Sequence, residues 1–404
     1  MTAITDPQRE SFRLSMLLSD TRYRSYTFQF IALLCLIAAM AFLGMNLLSN
    51  LAAQGLNISY DFLNSPSGYD INQRPIPYDS QSTHMRAAMV GILNTLIVAV
   101  LACVTATVLG VFAGVLRLSN NWLVRKLMAV YVEAFRNVPV LIWILIIFSI
   151  MTVSLPAPNA FRGETPAASM IFDAFAFTNR GVYTPLPLMG PGAWFVVLAF
   201  VASIVGIFLL RKYAVQQLFD KGRIVPTFWP SVALFFVPTL LVYFLLGRPI
   251  TLEYPVLQGF NFQGGIQIRG SLIALWFALA IYTGAFIAEN VRAGIQAISK
   301  GQTEAAGALG LRPNRIMKLI VLPQALRVII PPLVSQYLNI TKNSSLAIAV
   351  GYMDITGTLG GITLNQTGRA IESILLLMLF YLVISLTIST VMNIYNNSVK
   401  LKER

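Results

Sequence analysis

Residues Glu289–Arg327 read ENVRAGIQAISKGQTEAAGALGLRPNRIMKLIVLPQALR. The stretch is polar and basic, and two long apolar segments flank it. Glu304-Ala305-Ala306 opens a run of good helix formers that reaches Leu309. Gly301 and Gly310 bracket that run as breakers, and Gly310 suits the position just past a helix C-terminus. Pro313 suits the first turn of a second short helix. A helix this short cannot bury a face alone, so it needs a partner surface. An ordinary connection between neighbouring helices takes about 2–8 residues. This one is far longer and reads as a device rather than a turn.

The composition sets the class. Of 404 residues, 56% are hydrophobic and only 11% are charged, which describes a polytopic membrane protein. Cys35 and Cys103 both fall in apolar segments and read as small core residues, with no disulfide or metal implied. The single histidine, His84, excludes a histidine cluster and reads as an exposed loop residue. No Walker A motif, Gly-rich dinucleotide turn or Gly-x-Ser-x-Gly occurs. The chain is therefore expected to be no enzyme and to hold no cofactor or metal of its own.

Eight spans follow from the apolar runs, an all-α arrangement. They are residues 26–48, 88–116, 127–153, 192–210, 226–246, 271–290, 328–352 and 372–395. The first apolar run starts too late and runs too long for a cleavable leader. The third is interrupted by Glu133, Arg136, Asn137 and Pro139, and the proline breaks the helix ladder. The seventh carries Pro331-Pro332 early and Asn339, Lys342, Asn343, Ser344 and Ser345 further in. The segments 49–87, 154–191 and 248–270 read as loops rich in proline and glycine.

Charge placement fixes orientation. The segments on the N-terminal side hold 20 of the 29 Lys and Arg residues, and the opposite loops hold 7. That excess places both termini and the 289–327 loop in the cytoplasm. The net charge of +13 is thus a topology signal, and no nucleic-acid partner is implied.

With the loop inside, its spacing E-A-A-x3-G-x9-I-x-L-P, carried by Glu304, Ala305, Ala306, Gly310, Ile320, Leu322 and Pro323, resembles the EAA loop of ABC importer membrane subunits. Three further segments resemble the polar amino acid permeases. Residues 132–141 (VEAFRNVPVL) resemble their E-x-F-R-x-x-P-x-L segment. Residues 285–295 (AFIAENVRAGI) resemble the approach to their EAA loop, and residues 341–346 (TKNSSL) are similar to their K-x-[ST]-S-L stretch. The resemblance covers roughly residues 88–395. Compact members run five spans in one block. Here residues 154–270 interrupt the block with two extra spans, and a leading span precedes it, a layout that resembles the longer permease subunits of general L-amino acid transporters.

The resemblance implies a type I importer core at 88–395 with 154–270 as an insertion, preceded by a cytoplasmic N-terminus, leading helix and periplasmic loop (1–87) and followed by a cytoplasmic tail (396–404). It implies a bacterial inner-membrane location and uptake of L-amino acids of broad specificity from periplasm to cytoplasm. The implied partners are a second, non-identical permease subunit, two ATPase subunits holding ATP and Mg, and a periplasmic amino-acid-binding protein, all at the lipid bilayer. The EAA loop would dock in an ATPase cleft, with Glu304 meeting a basic group and Gly310 allowing the turn.

Intramembrane ions are costly and mark pathways. Lys342 lies 14 residues past Val328, about 21 Å along a helix, and Arg136 lies 9 past Leu127, about 14 Å in. Either cation could read a substrate carboxylate, with Asn339, Asn343, Ser344 and Ser345 offering hydrogen bonds and Asn137, Glu133 and Glu289 nearby in the motifs. The structural alternative pairs a cation with Glu133, Glu289 or a carbonyl. The rival function is an ion-gradient-coupled secondary transporter. It leaves the EAA loop unexplained.

Overall fold

The computed structural model describes residues 18, 20–55, 57–163 and 165–399. Arg9, Arg13, Lys400, Lys402 and Arg404, used in the charge count, lie outside the described residues. The chain divides into two units, Met1–Asp61 and Phe62–Arg404. In the first, helix α1 (Thr21–Ala53) carries apolar side chains on every face, as a membrane span does.

In the second unit, α2 (His84–Leu116) leads into α3 (Trp122–Asn137) and α4 (Val140–Ser154). The third apolar segment, expected as one interrupted span from 127 to 153, is two helices bent by 106°. The cause is local. Val138, ahead of proline, is extended at φ −110° and ψ 133°, and Pro139 starts α4 with no amide to donate. Leu127 and Arg136 both precede the break, so the rise of about 14 Å between them along α3 stands, and the bend falls just after Arg136.

The chain then forms strands β1 (Ala176–Thr178), β2 (Gly181–Thr184) and β3 (Leu186–Met189) before helices α5 (Ala193–Lys221) and α6 (Phe228–Leu245). It returns through β4 (Ile250–Glu253), β5 (Val256–Gln258), β6 (Asn261–Gln263) and β7 (Ile266–Arg269). These strands replace the irregular loops expected at 154–191 and 248–270. Outgoing and returning chains pair: β2 lies antiparallel to β7 with Gly181 opposite Arg269, and β3 to β4 with Met189 opposite Ile250. The chain thus runs out to α5 and back from α6 on paired strands at residues 181–189 and 250–269.

Helix α7 (Gly270–Gln296) is followed by two short helices, α8 (Lys300–Ala308) and α9 (Pro313–Ile316). A π-helical turn at Met317–Val321 leads into α10 (Leu322–Asn343), and 3-10 turns continue to Val350. Short helices α11 (Ile355–Gly357) and α12 (Leu364–Thr367), joined by a π turn, precede α13 (Ala370–Val399). Seven of these helices are long and apolar enough to cross a membrane, or eight if the bent pair is one span.

The core is the contact of α7 with α2, α4 and α10. Lipid offers no hydrophobic drive for helix association, so close approach and polar links supply it. A Cβ added at Gly110 would meet Ile287 Cβ at 2.5 Å, so only glycine lets α2 and α7 come this near. Trp276 Nε1 donates to Thr105 Oγ1 at 3.0 Å, Tyr131 OH to Ile281 O at 2.7 Å, and the Thr107 and Tyr337 hydroxyls meet at 2.8 Å. Each such link contributes about 0.6 kcal/mol on average. His84, expected on an exposed loop, is instead the first residue of α2 and buried. Its Nδ1 lies 3.0 Å from Thr363 Oγ1, which also meets Tyr69 OH at 3.1 Å. Burial pushes the Tyr69 phenol up to about 12.

Candidate functional site

The EAA stretch forms the expected short helix, although α8 begins at Lys300 and so includes Gly301, which had been read as a breaker before it. Leu309 caps α8, and Gly310 follows at φ +78°, a left-handed conformation that a Cβ disfavours. Pro313 takes the first turn of α9.

One face of α8 is anchored and the other is bare. Ala306 is buried with Ile316 and Val321 in a small cluster against which Ile295, Leu311 and Ile320 pack. Pro323 is half-buried in the first turn of α10. Glu304 and Ala305 are exposed, and so are Leu309, 82% accessible, and Leu322. The exposed Glu304 carboxylate on this nine-residue helix and the 82% accessible Leu309 at its end are a surface that an apolar and basic cleft would cover.

The membrane-depth residues separate into three groups. Glu289 is clasped by Arg117 of the α2 end and Arg292, whose Nε lies 3.2 Å from Glu289 Oε2. Arg292 Nη1 also donates to Gln296 Oε1 at 2.6 Å. This partly buried triad ties α2 to α7 just before the EAA loop. Sequence reading counted both arginines as topology charges and missed the clasp, because Arg117 lies 172 residues from its partner.

Arg136 takes neither Glu133 nor Glu289 among the described residues. Its guanidinium lies over the Phe286 ring of α7, 5.1 Å from the centroid, and its Nε has no hydrogen-bond partner. Asn137 donates to Glu133 at 3.3 Å within α3.

On α10, Asn339 and Lys342 are exposed and Asn343 is half-buried. Ser344 and Ser345 donate back to Thr341 O and Lys342 O, both at 2.7 Å. These side chains do not converge on one point within the described residues. Among them, no three His, Cys, Asp or Glu side chains gather as a metal site would require.

One buried acid escaped the sequence reading. Asp354 follows the 3-10 turns, is fully buried, and caps α11 by accepting from Gly357 N at 2.8 Å. Its neighbours are tied to α2: Asn94 Nδ2 donates to Met353 O at 2.8 Å and Ile355 N to Thr95 Oγ1 at 3.1 Å. Desolvation raises the Asp354 carboxyl to about 7. A lone Asp after Gly351-Tyr352-Met353 gave no sequence sign of such burial.

Residues 196–401 match the family described as binding-protein-dependent transport system inner membrane component. The chain is 51% identical to the glutamate/glutamine/aspartate/asparagine transport system permease protein BztB of Rhodobacter capsulatus, over 100% of both chains. It is 43% identical to the putative amino-acid ABC transporter permease protein YhdX of Escherichia coli, over 98% of this chain and 99% of that one. It is 42% identical to the general L-amino acid transport system permease protein AapQ of Rhizobium johnstonii, over 98% of this chain and 96% of that one. The chain therefore belongs to the inner-membrane components of binding-protein-dependent transport systems, among the permease subunits of amino acid ABC transporters.

Proposed function

We propose that this chain is one of two non-identical permease subunits of an ATP-driven importer that carries L-amino acids of broad specificity from periplasm to cytoplasm. Like its relatives it is a multi-pass inner-membrane transport subunit with a type I importer core, and hydrolysis belongs to separate ATPase subunits. Those subunits hold the ATP and Mg, and a periplasmic binding protein delivers the substrate. The observation that carries the reading is α8, held from below by Ala306 and bare at Glu304 and Leu309. A short rigid helix seated in a cleft passes ATPase closure to α7 and α10, the helices on either side of it. The basic excess around 289–327 supports the cytoplasmic side for this loop and for both termini. Lys342 and Arg136 remain the substrate-path cations of this proposal, exposed on α10 and set over Phe286 respectively.

The test is uptake by the full complex in proteoliposomes. Amino acid accumulation is expected to require ATP hydrolysis. Uptake that survives without ATP and collapses with the ion gradient supports a secondary transporter instead. Cysteine at Gln302 is expected to be silent to impermeant reagents outside intact cells, and cysteine at Gln258 to react.

A further inference from the structure

Helices α5 and α6 bound a concavity of about 710 Å³ at the end where residues 222–227 join them. From α5, Ile207, Arg211, Ala214, Val215 and Leu218 line it, at the spacing of one helical face. From α6, Phe228, Ser231, Val232 and Phe235 complete a largely apolar wall. Among the described residues, Ser231 Oγ has no hydrogen-bond partner and Arg211 has no ion-pair partner. Arg211 is the charged residue of the lining. It lies 18 residues past Ala193, about 27 Å along the helix. For a hydrocarbon core about 30 Å thick, that is the level of the lipid headgroups. Lys212, Lys221 and Arg223 lie in the same turn region with Asp220 as the one acid, so the mouth is basic while the wall is apolar.

We infer that this concavity is a binding site for an anionic glycerophospholipid of the inner leaflet. An acyl chain lies along Ile207, Val232 and Phe235, and Arg211 meets the phosphate. The leaflet rests on the orientation proposed above; the ligand class rests on the lining. A zwitterionic lipid would fill the wall equally well and gain less from the mouth. An uncharged partner helix would leave Arg211 unanswered.

The test is lipid titration of the purified complex in detergent, read by native mass spectrometry with phosphatidylglycerol and phosphatidylcholine as probes. The intact complex is expected to bind phosphatidylglycerol more tightly. Arg211→Ala is expected to weaken that lipid about five-fold, which corresponds to roughly 1 kcal/mol for one basic residue near an anionic surface, and to leave phosphatidylcholine unchanged. Ala214→Trp, which fills the concavity, is expected to abolish the preference without lowering the melting temperature of lipid-free complex. Equal binding of both lipids, or no response to Arg211→Ala, overturns the inference. So does efficient crosslinking of a cysteine at Val215 to the second permease subunit. Lipid binding in detergent does not depend on membrane orientation or on the energy source, so its failure leaves the importer reading as it stands.

Discussion

Helices α7 and α6 both read as apolar spans, yet the structure builds them in different ways. Helix α7 buries fourteen residues, most of them small, and touches α2, α4 and α10. Helix α6 buries none and packs against α5. The first is specified by what its neighbours leave room for. The second is specified by what lipid tolerates, with strands β2–β7 and β3–β4 closing its excursion outside the core. Apolarity alone is therefore enough to find a span, and the glycines and hydroxyls along it tell whether the span is core.

The sharpest way to break that contrast is one methyl group. Gly110→Ala is expected to destabilise the purified subunit by about 1–3 kcal/mol, because the new Cβ lands 2.5 Å from Ile287 Cβ. Gly206→Ala on α5 is expected to stay within about 0.5 kcal/mol, since its nearest neighbour is Leu234 Cδ2 at 3.8 Å. Melting curves of the two variants decide it. Equal shifts would mean that the hairpin is packed as tightly as the core.

A charge change makes the same point at the end of the core next to α8. Glu289→Ala leaves Arg117 and Arg292 without the carboxylate between them, and a loss of about 1.5–3 kcal/mol is expected. Double removal with Arg117→Met is expected to recover part of it. A melting temperature untouched by Glu289→Ala would show that the clasp is not a tie between α2 and α7.

Asp354 gives a pH signature confined to the core. Its carboxyl titrates near 7 when folded, above its ordinary value of 3.8, so the folded state holds the proton more tightly. Its favourable contribution is complete below about pH 4, declines as pH rises, and is gone above about pH 7. Asp354→Asn keeps the cap on Gly357 and is expected to flatten thermal stability across that window. A variant that keeps the wild-type slope would assign the dependence to another group.

The sequence carried the EAA loop to the level of single residues, because its geometry is local. Gly310 at φ +78° and Pro313 at a helix start follow from backbone sterics alone. The break at Pro139 was equally local, and only the size of its bend, 106°, was not legible from the residue types. The strands escaped notice because three- and four-residue segments among prolines and glycines show no alternation. His84 was misread because Thr363, which buries it, lies 279 residues away. The path residues stayed unresolved for a related reason: Lys342 and Asn339 face outward from this chain, where a second subunit is proposed to meet them.

The central claim is that α8 transmits ATPase closure through Glu304 and the turn at Gly310. Its most direct measurement is ATP-driven amino acid uptake by the reconstituted complex carrying Glu304→Lys, with the amount of subunit in the membrane measured alongside. Uptake is expected to be lost while the subunit still inserts and its melting temperature is unchanged, because Glu304 is exposed and its side chain makes no hydrogen bond or ion pair among the described residues. Uptake at the unmodified rate with the same amount of subunit would contradict it.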